Sequence, residues 1–244
     1  MSGHSHAKTI KHQKNLTDQK RGQLFSKMAK VIWIAVREGG ASPETNNKLK
    51  VVMEQAKEFN MPKENIERAV KQAVGGEEAA NLTEMVFEAY GPGGIAIIIE
   101  AIADNKNRAL GEVKQALNQY GGKLVGEGAI RWMFDRKGVI IINSKLQITN
   151  PKTKEELELL TIEAGAQDIL WEDGDILNVY TKTEDLEKVR KILEEKGVKM
   201  EGASLDWVAK EEITADEKVK ESCEKLFNAL DGSDSVQEIY SNLK

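Results

Sequence analysis

Lys8, Lys11, Lys14, Lys20 and Arg21 fall within the first twenty-one residues, with His12 among them and Asp18 as the only acid. Ammonium and guanidinium groups at that density do one kind of chemistry well. They neutralise phosphates, and each one set against a polyanion displaces a condensed counterion. The competing use is a merely solvated chain end, and the distribution of charge argues against it. Residues 1–30 carry +6 while the whole chain carries −5, so everything after residue 30 sums to −11. A basic end on an acidic body makes a directed contact, because the tail seeks phosphate and the body repels it. No helix shows Arg, Asn or Gln at successive exposed positions near a helix-turn-helix spacing, so reading of base sequence is not expected. Backbone neutralisation serves DNA and ribosomal or transfer RNA alike, and the residues do not choose between them.

Lys106 and Arg108 form a second cationic pair in the first turn of an expected helix, capped by Asp104, where free amides favour an anion. Ordinary surface charge is their competing use. Tyr90, Gly91, Pro92, Gly93 and Gly94 could present open backbone to a phosphate or to another chain, but a hairpin turn also accounts for them. Their spacing is not that of a dinucleotide-binding or phosphate-binding loop. Ser2, Gly3 and His4 would make a square-planar Cu(II) or Ni(II) site after removal of Met1, although a tail histidine more often partners phosphate. No metal or cofactor is expected. Catalysis is not expected either: there is one cysteine, no histidine outside residues 4–12, and no Ser/His/Asp or zinc constellation. Glu172, Asp173 and Asp175 read as a solvated acidic turn, and no small-molecule substrate is implied.

These groups must be carried by elements that the apolar spacing locates. From Arg21 to about Val74 three helical stretches follow one another. Leu24, Met28, Val31 and Ala35 line the first, which stops at Gly39 and Gly40. Ser42 and Pro43 read as cap and first residue of the second, with Leu49, Val52, Met53, Ala56 and Phe59 on its face. Pro62 opens the third, carrying Ile66, Ala69, Val70 and Ala73. The period then becomes that of strands: Met85 to Tyr90 and Ile95 to Ile102 form a hairpin about the glycine-rich turn. Ile95 to Ile99 is apolar on both faces, as a central strand requires. A helix over Asn105 to Tyr120 follows.

From Gly138 to Leu205 the order is β-α-β-β-α-β, the ferredoxin-like one, with strands at Val139–Ile142, Asp168–Trp171, Ile176–Tyr180 and Lys199–Ser204. The closing helix with Val219, Cys223, Leu226 and Leu230 and the strand Val236–Tyr240 lack partners of their own and complete the sheet begun at Met85. The fold class is therefore α+β and multidomain: an amino-terminal three-helix domain and two ferredoxin-like α/β domains, the third inserted in the second. The boundaries fall at 1–78, at 79–135 with 206–244, and at 136–205. With 40% hydrophobic residues the chain can bury a core. No run of eighteen apolar residues or secretory leader is present, so membrane partners are not expected and the compartment is expected to be the cytoplasm. Cys223 falls on an apolar helix face and reads as core.

Blocks along the chain resemble the YebC/PmpR family. They are Ser2 to Ser5, Ile10 to Lys14, Lys20 to Gly22, Asn60 to Ala69, Tyr90 to Gly94, Asp104 to Arg108 and Trp132 to Gly138, in the family's order over nearly the whole length. The resemblance implies a three-domain α plus α/β architecture and a role in gene expression. The family carries two descriptions. One is a DNA-binding transcriptional regulator; the other, associated with the mitochondrial translational activator of cytochrome oxidase subunit one, is a ribosome-associated translation factor that helps with difficult nascent sequences. The chain departs from the family at His6, Ala7, Thr9 and Gln13, where Lys, Trp, Asn and Arg are usual, which removes a stacking ring and polar contacts from the tail. A ferredoxin-like order also invites an RNA-recognition surface, but Lys137 to Ile142 lacks the aromatics that would stack bases. The sheet domains therefore read as spacers or protein-contact surfaces. A protein-interaction adaptor that binds no nucleic acid is the other class, and it would lose nothing with the tail removed.

Overall fold

The computed structural model describes residues 18–76, 81–147, 153–172 and 174–244. It opens with three helices, α1 (Asp18–Gly39), α2 (Asn47–Glu58) and α3 (Lys63–Gly75). Apolar residues three and four apart give each helix an inward stripe, and Leu24, Met28, Ile32, Leu49, Val52 and Ile66 meet in one core. The join between α1 and α2 corrects one expectation. Ser42 and Pro43 do not begin a helix; the Ser42 carbonyl accepts from the amides of Thr45 and Asn46 in a turn. Asn46 is the cap instead. Its buried side-chain amide donates to the carbonyls of Ala35 and Gly40, each at 2.7 Å, while its Oδ1 accepts from the Leu49 amide at 3.0 Å. One residue thus satisfies backbone groups from two helix ends, which a Ser-Pro start could not do.

The chain continues as β1 (Thr83–Tyr90), β2 (Ala96–Ala103), α4 (Lys106–Gln119), β3 (Lys123–Val125), β4 (Phe134–Asn143), α5 (Lys154–Ala164), β5 (Asp168–Glu172), β6 (Ile176–Thr181), α6 (Leu186–Glu195), β7 (Gly202–Ala209), α7 (Glu217–Asp231) and β8 (Val236–Ser241). Two four-stranded sheets result, ordered β3-β1-β2-β8 and β5-β6-β4-β7. In the first, β2 lies between β1 and β8, which is why it is apolar on both faces. Ile97, Ile99 and Ala101 pack beneath α4 and α7 with Val113, Leu117, Leu226 and Leu230. Cys223 is buried there, and burial pushes its thiol up to about 11.

The second sheet has the ferredoxin-like order, with Ile140, Ile142, Leu177 and Val179 under Leu157, Val189 and Leu193 of α5 and α6. Gly138 lets α6 approach, since a Cβ there would lie 2.3 Å from Thr181 Oγ1 and 2.9 Å from the Leu186 Cβ. The last strand lies later than Lys199–Ser204. The Lys199 amide and carbonyl are taken by the buried Gln147 side chain at 2.9 and 2.8 Å, and the ladder begins beyond them. The first sheet uses the same layers with another chain order, ββαβ before the insertion and αβ after it. The chain divides into two compact units, one ending at Met133 and resuming at Ala209, the other Phe134–Val208. Where it leaves and re-enters the first unit, the Lys210 amide donates to the Met133 carbonyl at 2.9 Å.

Candidate nucleic-acid interface

Lys8, Lys11, His12 and Lys14 lie outside the described residues, as do Ser2, Gly3, His4 and Asp173. Lys20 and Arg21 are exposed in the first turn of α1, which begins three residues before Arg21 and so carries both on helix. Two later cations of the basic segment are committed elsewhere. Lys27, 4% exposed, donates to the Asp231 carbonyl at 2.6 Å and to its carboxylate at 2.8 Å. It thereby caps the carboxyl end of α7, where carbonyls lack partners and the helix dipole favours a cation. Lys30 donates to the Asp234 carbonyl at 2.6 Å. Its partial burial lowers its pKa, opposed by Asp234 and reinforced by Arg108 and Lys27.

These bonds fix α1 against the first sheet domain. Further along the helix, Arg37 donates to the Leu82 carbonyl, and Ile34 packs with Leu82 and Ile102 on the sheet face away from α4 and α7. Lys20 shares a helical stripe with Lys27 two turns away, about 10 Å along the axis. The head of α1 is therefore held in a set direction from the sheet domain.

Lys106 and Arg108 stand in the first turn of α4, as expected, but the cap is Asn105 and not Asp104. The Asn105 side chain accepts from the amides of Asn107 and Arg108 at 3.0 and 3.1 Å. Asp104 instead receives Arg108 Nη2 at 2.6 Å, and Arg108 Nη1 lies 3.7 Å from Glu112. That side-chain hydrogen bond holds the Asp104 carboxyl below its usual range and raises the Arg108 guanidinium. Lys106 is exposed. Arg108 is close enough to Lys30 to influence it, so the structure brings these two cations near one another, while Lys20 lies ten residues, about 15 Å of helix, from Lys30.

Glu88 is the residue that sequence reasoning missed. It is 2% exposed on the sheet face away from the helices, beside β3. Its carboxylate accepts from the amides of Gly128, Ile130 and Arg131 at 2.7, 2.9 and 3.1 Å, and Arg131 Nε is 3.2 Å away. Burial alone would raise its pKa; the three amides and the guanidinium outweigh that and hold it below the ordinary value. The loop before Trp132 is thereby pinned to β1. Gly93, at φ 69°, and Gly94, at φ 78°, shape the hairpin turn, which packs on α7 where Cys223 Sγ donates to the Pro92 carbonyl at 3.7 Å.

Among the described residues, no three His, Cys, Asp or Glu side chains gather as a metal site, and no helix is long and apolar enough to cross a membrane. The fold and the exposed cations at its head define a three-domain α/β protein with a basic helical leading end. Residues 5–76 match the TACO1/YebC protein N-terminal domain, and residues 82–243 match the TACO1/YebC second and third domain. The chain belongs to the TACO1/YebC family. It is 42% identical over 243 residues to a "Probable transcriptional regulatory protein" of Halothermothrix orenii, covering 99% of this chain and 94% of that one. It is 41% identical over 245 residues to "Probable transcriptional regulatory protein YrbC" of Bacillus subtilis, covering 100% of both. A crystal structure of the conserved hypothetical protein Aq1575 from Aquifex aeolicus superposes with a TM-score of 0.86 at 38% identity, covering 96% of this chain and 95% of that one.

Proposed function

We propose that this protein is a non-enzymatic, cytoplasmic regulator of gene expression that binds nucleic-acid phosphates through Lys8, Lys11, His12, Lys14, Lys20 and Arg21, with Lys106 and Arg108 as outlying contacts. The observation that carries the reading is the division of labour along the basic segment. Lys27 and Lys30 hold the sheet domain, whereas Lys20 and Arg21 are exposed on the first turn of α1, at the basic end of an otherwise acidic chain. Exposed cations at that density are suited to neutralising phosphates. The names of the relatives from Halothermothrix orenii and Bacillus subtilis favour transcription, and hence DNA, as the setting.

The charge of the body favours a second reading. A chain carrying −11 after residue 30 suits insertion of its basic end into a ribosomal cleft, which would make the protein a translation factor. Sedimentation of tagged protein with ribosomes in cell lysate, with and without nuclease, separates the two. Nuclease-resistant co-sedimentation supports translation; sedimentation confined to nuclease-sensitive DNA supports transcription. Removal of residues 1–17 should weaken either form of binding without lowering the thermal transition, because the core stripe of α1 begins at Leu24. Undiminished association of the truncated protein would favour an adaptor.

A further inference from the structure

We propose that Tyr90, Lys123 and Trp132 form a stacking platform for unpaired bases of single-stranded nucleic acid; the proposal rests on the nucleic-acid reading above and places a second contact away from the tail. Tyr90 and Trp132 are the exposed aromatic side chains among the described residues, at 36% and 67%. Tyr90 and Lys123 are direct cross-strand partners of β1 and β3, so they project from the same sheet face. Glu88, two residues before Tyr90, projects from that face as well and holds the loop that delivers Trp132.

Three features suit stacking in particular. The Trp132 indole N–H already donates to the Ala129 carbonyl at 3.0 Å, so the ring offers its faces and needs no polar partner. The loop is fixed from below by a buried carboxylate on three amides, which limits the ordering cost of binding. Lys123 has no ion pair among the described residues, whereas Arg131 is shared between Glu88 and the exposed Glu127. Tyr90 and Lys123 side by side on that face, with Trp132 carried by the loop bonded to Glu88, offer rings and a cation to bases and their phosphates without reading sequence. On the inserted ferredoxin-like sheet the tryptophan rings lie beneath cations, Trp207 under Arg136 and Trp171 under Lys154. Tyr180 of that sheet, on the face away from the helices, is only 7% exposed beneath Lys137.

The test uses the full chain with oligo(dT), oligo(U) and a duplex of equal length, following affinity and intrinsic tryptophan fluorescence. Single strands should quench the wild-type fluorescence, and Trp132→Leu should remove most of that quench. Trp132→Leu and Tyr90→Leu should each weaken single-strand affinity about tenfold or more, leaving the duplex affinity and the thermal transition unchanged. A preference between oligo(dT) and oligo(U) would name the sugar. Reversing the charge of the tail lysines should instead weaken single strands and duplex together while the quench at saturation persists. If both aromatic variants bind single strands as the wild type does, or lose single strand and duplex equally, the platform is overturned while the tail reading stands. If the tail reversal changes nothing but the aromatic variants fail, the tail reading falls alone.

Discussion

Glu88 and its three amides show how one buried charge can organise a loop. Nothing in the alternation of β1 marks it, because in sequence it is a polar residue on the outward face, and its partners lie 40 to 43 residues away. The same holds for Lys27, whose partner is 204 residues distant and which in sequence adds to a basic run. Local spacing finds core stripes but cannot report where a long side chain ends. Glu88→Gln should destabilise the protein by about 2 kcal/mol in a denaturant titration at neutral pH, since an amide cannot accept from all three N–H groups without bringing its own donors. The pH dependence has a definite sign. A carboxyl whose pKa is lowered on folding adds stability above the unfolded value, near 4.3 for Glu, and loses it as pH falls through the folded value. Acid should therefore cost the wild type more stability than it costs Glu88→Gln.

At the scale of elements, the hairpin, the four-stranded inserted sheet and the inward stripes of α1 to α3 were legible from period alone. The misplacements were at ends: Asn46 for Ser42, Asn105 for Asp104, Gly202 for Lys199. Asn46 and Gln147 settle two of these ends by satisfying backbone groups distant in sequence, which propensity does not encode, while Asn105 settles the third as a local cap. β3, three residues long, has too few positions to show a period. The docking of α1 is the element-level claim. Lys27→Met keeps the apolar stem but strips the cap from α7, and should lower stability by about 1–3 kcal/mol by thermal or denaturant unfolding. It should leave the salt dependence of nucleic-acid binding unchanged, because Lys27 faces Asp231 and not phosphate. A flatter salt slope in Lys27→Met would show that the cation contacts nucleic acid after all.

For the whole molecule, the three-part architecture could be read in the sequence, while the site could be read only in part. The charge asymmetry is visible in composition, but which cations remain for a ligand is decided by tertiary partners. We propose the domain boundaries close to those of the two compact units, and residues 134–208 expressed alone should melt cooperatively, because the ferredoxin-like sheet carries its own core. A fragment without a cooperative transition would place the boundary elsewhere. The central claim concerns the tail, and its most direct test is the salt dependence of binding for the wild type and for a chain carrying Lys8→Glu, Lys11→Glu and Lys14→Glu. Affinity should fall about equally for unrelated sequences, with each lost phosphate contact flattening log affinity against log salt by about one unit, and folding should be unaffected. Binding that survives with an unchanged slope, or that drops for one sequence only, would contradict the account and locate recognition elsewhere on the chain.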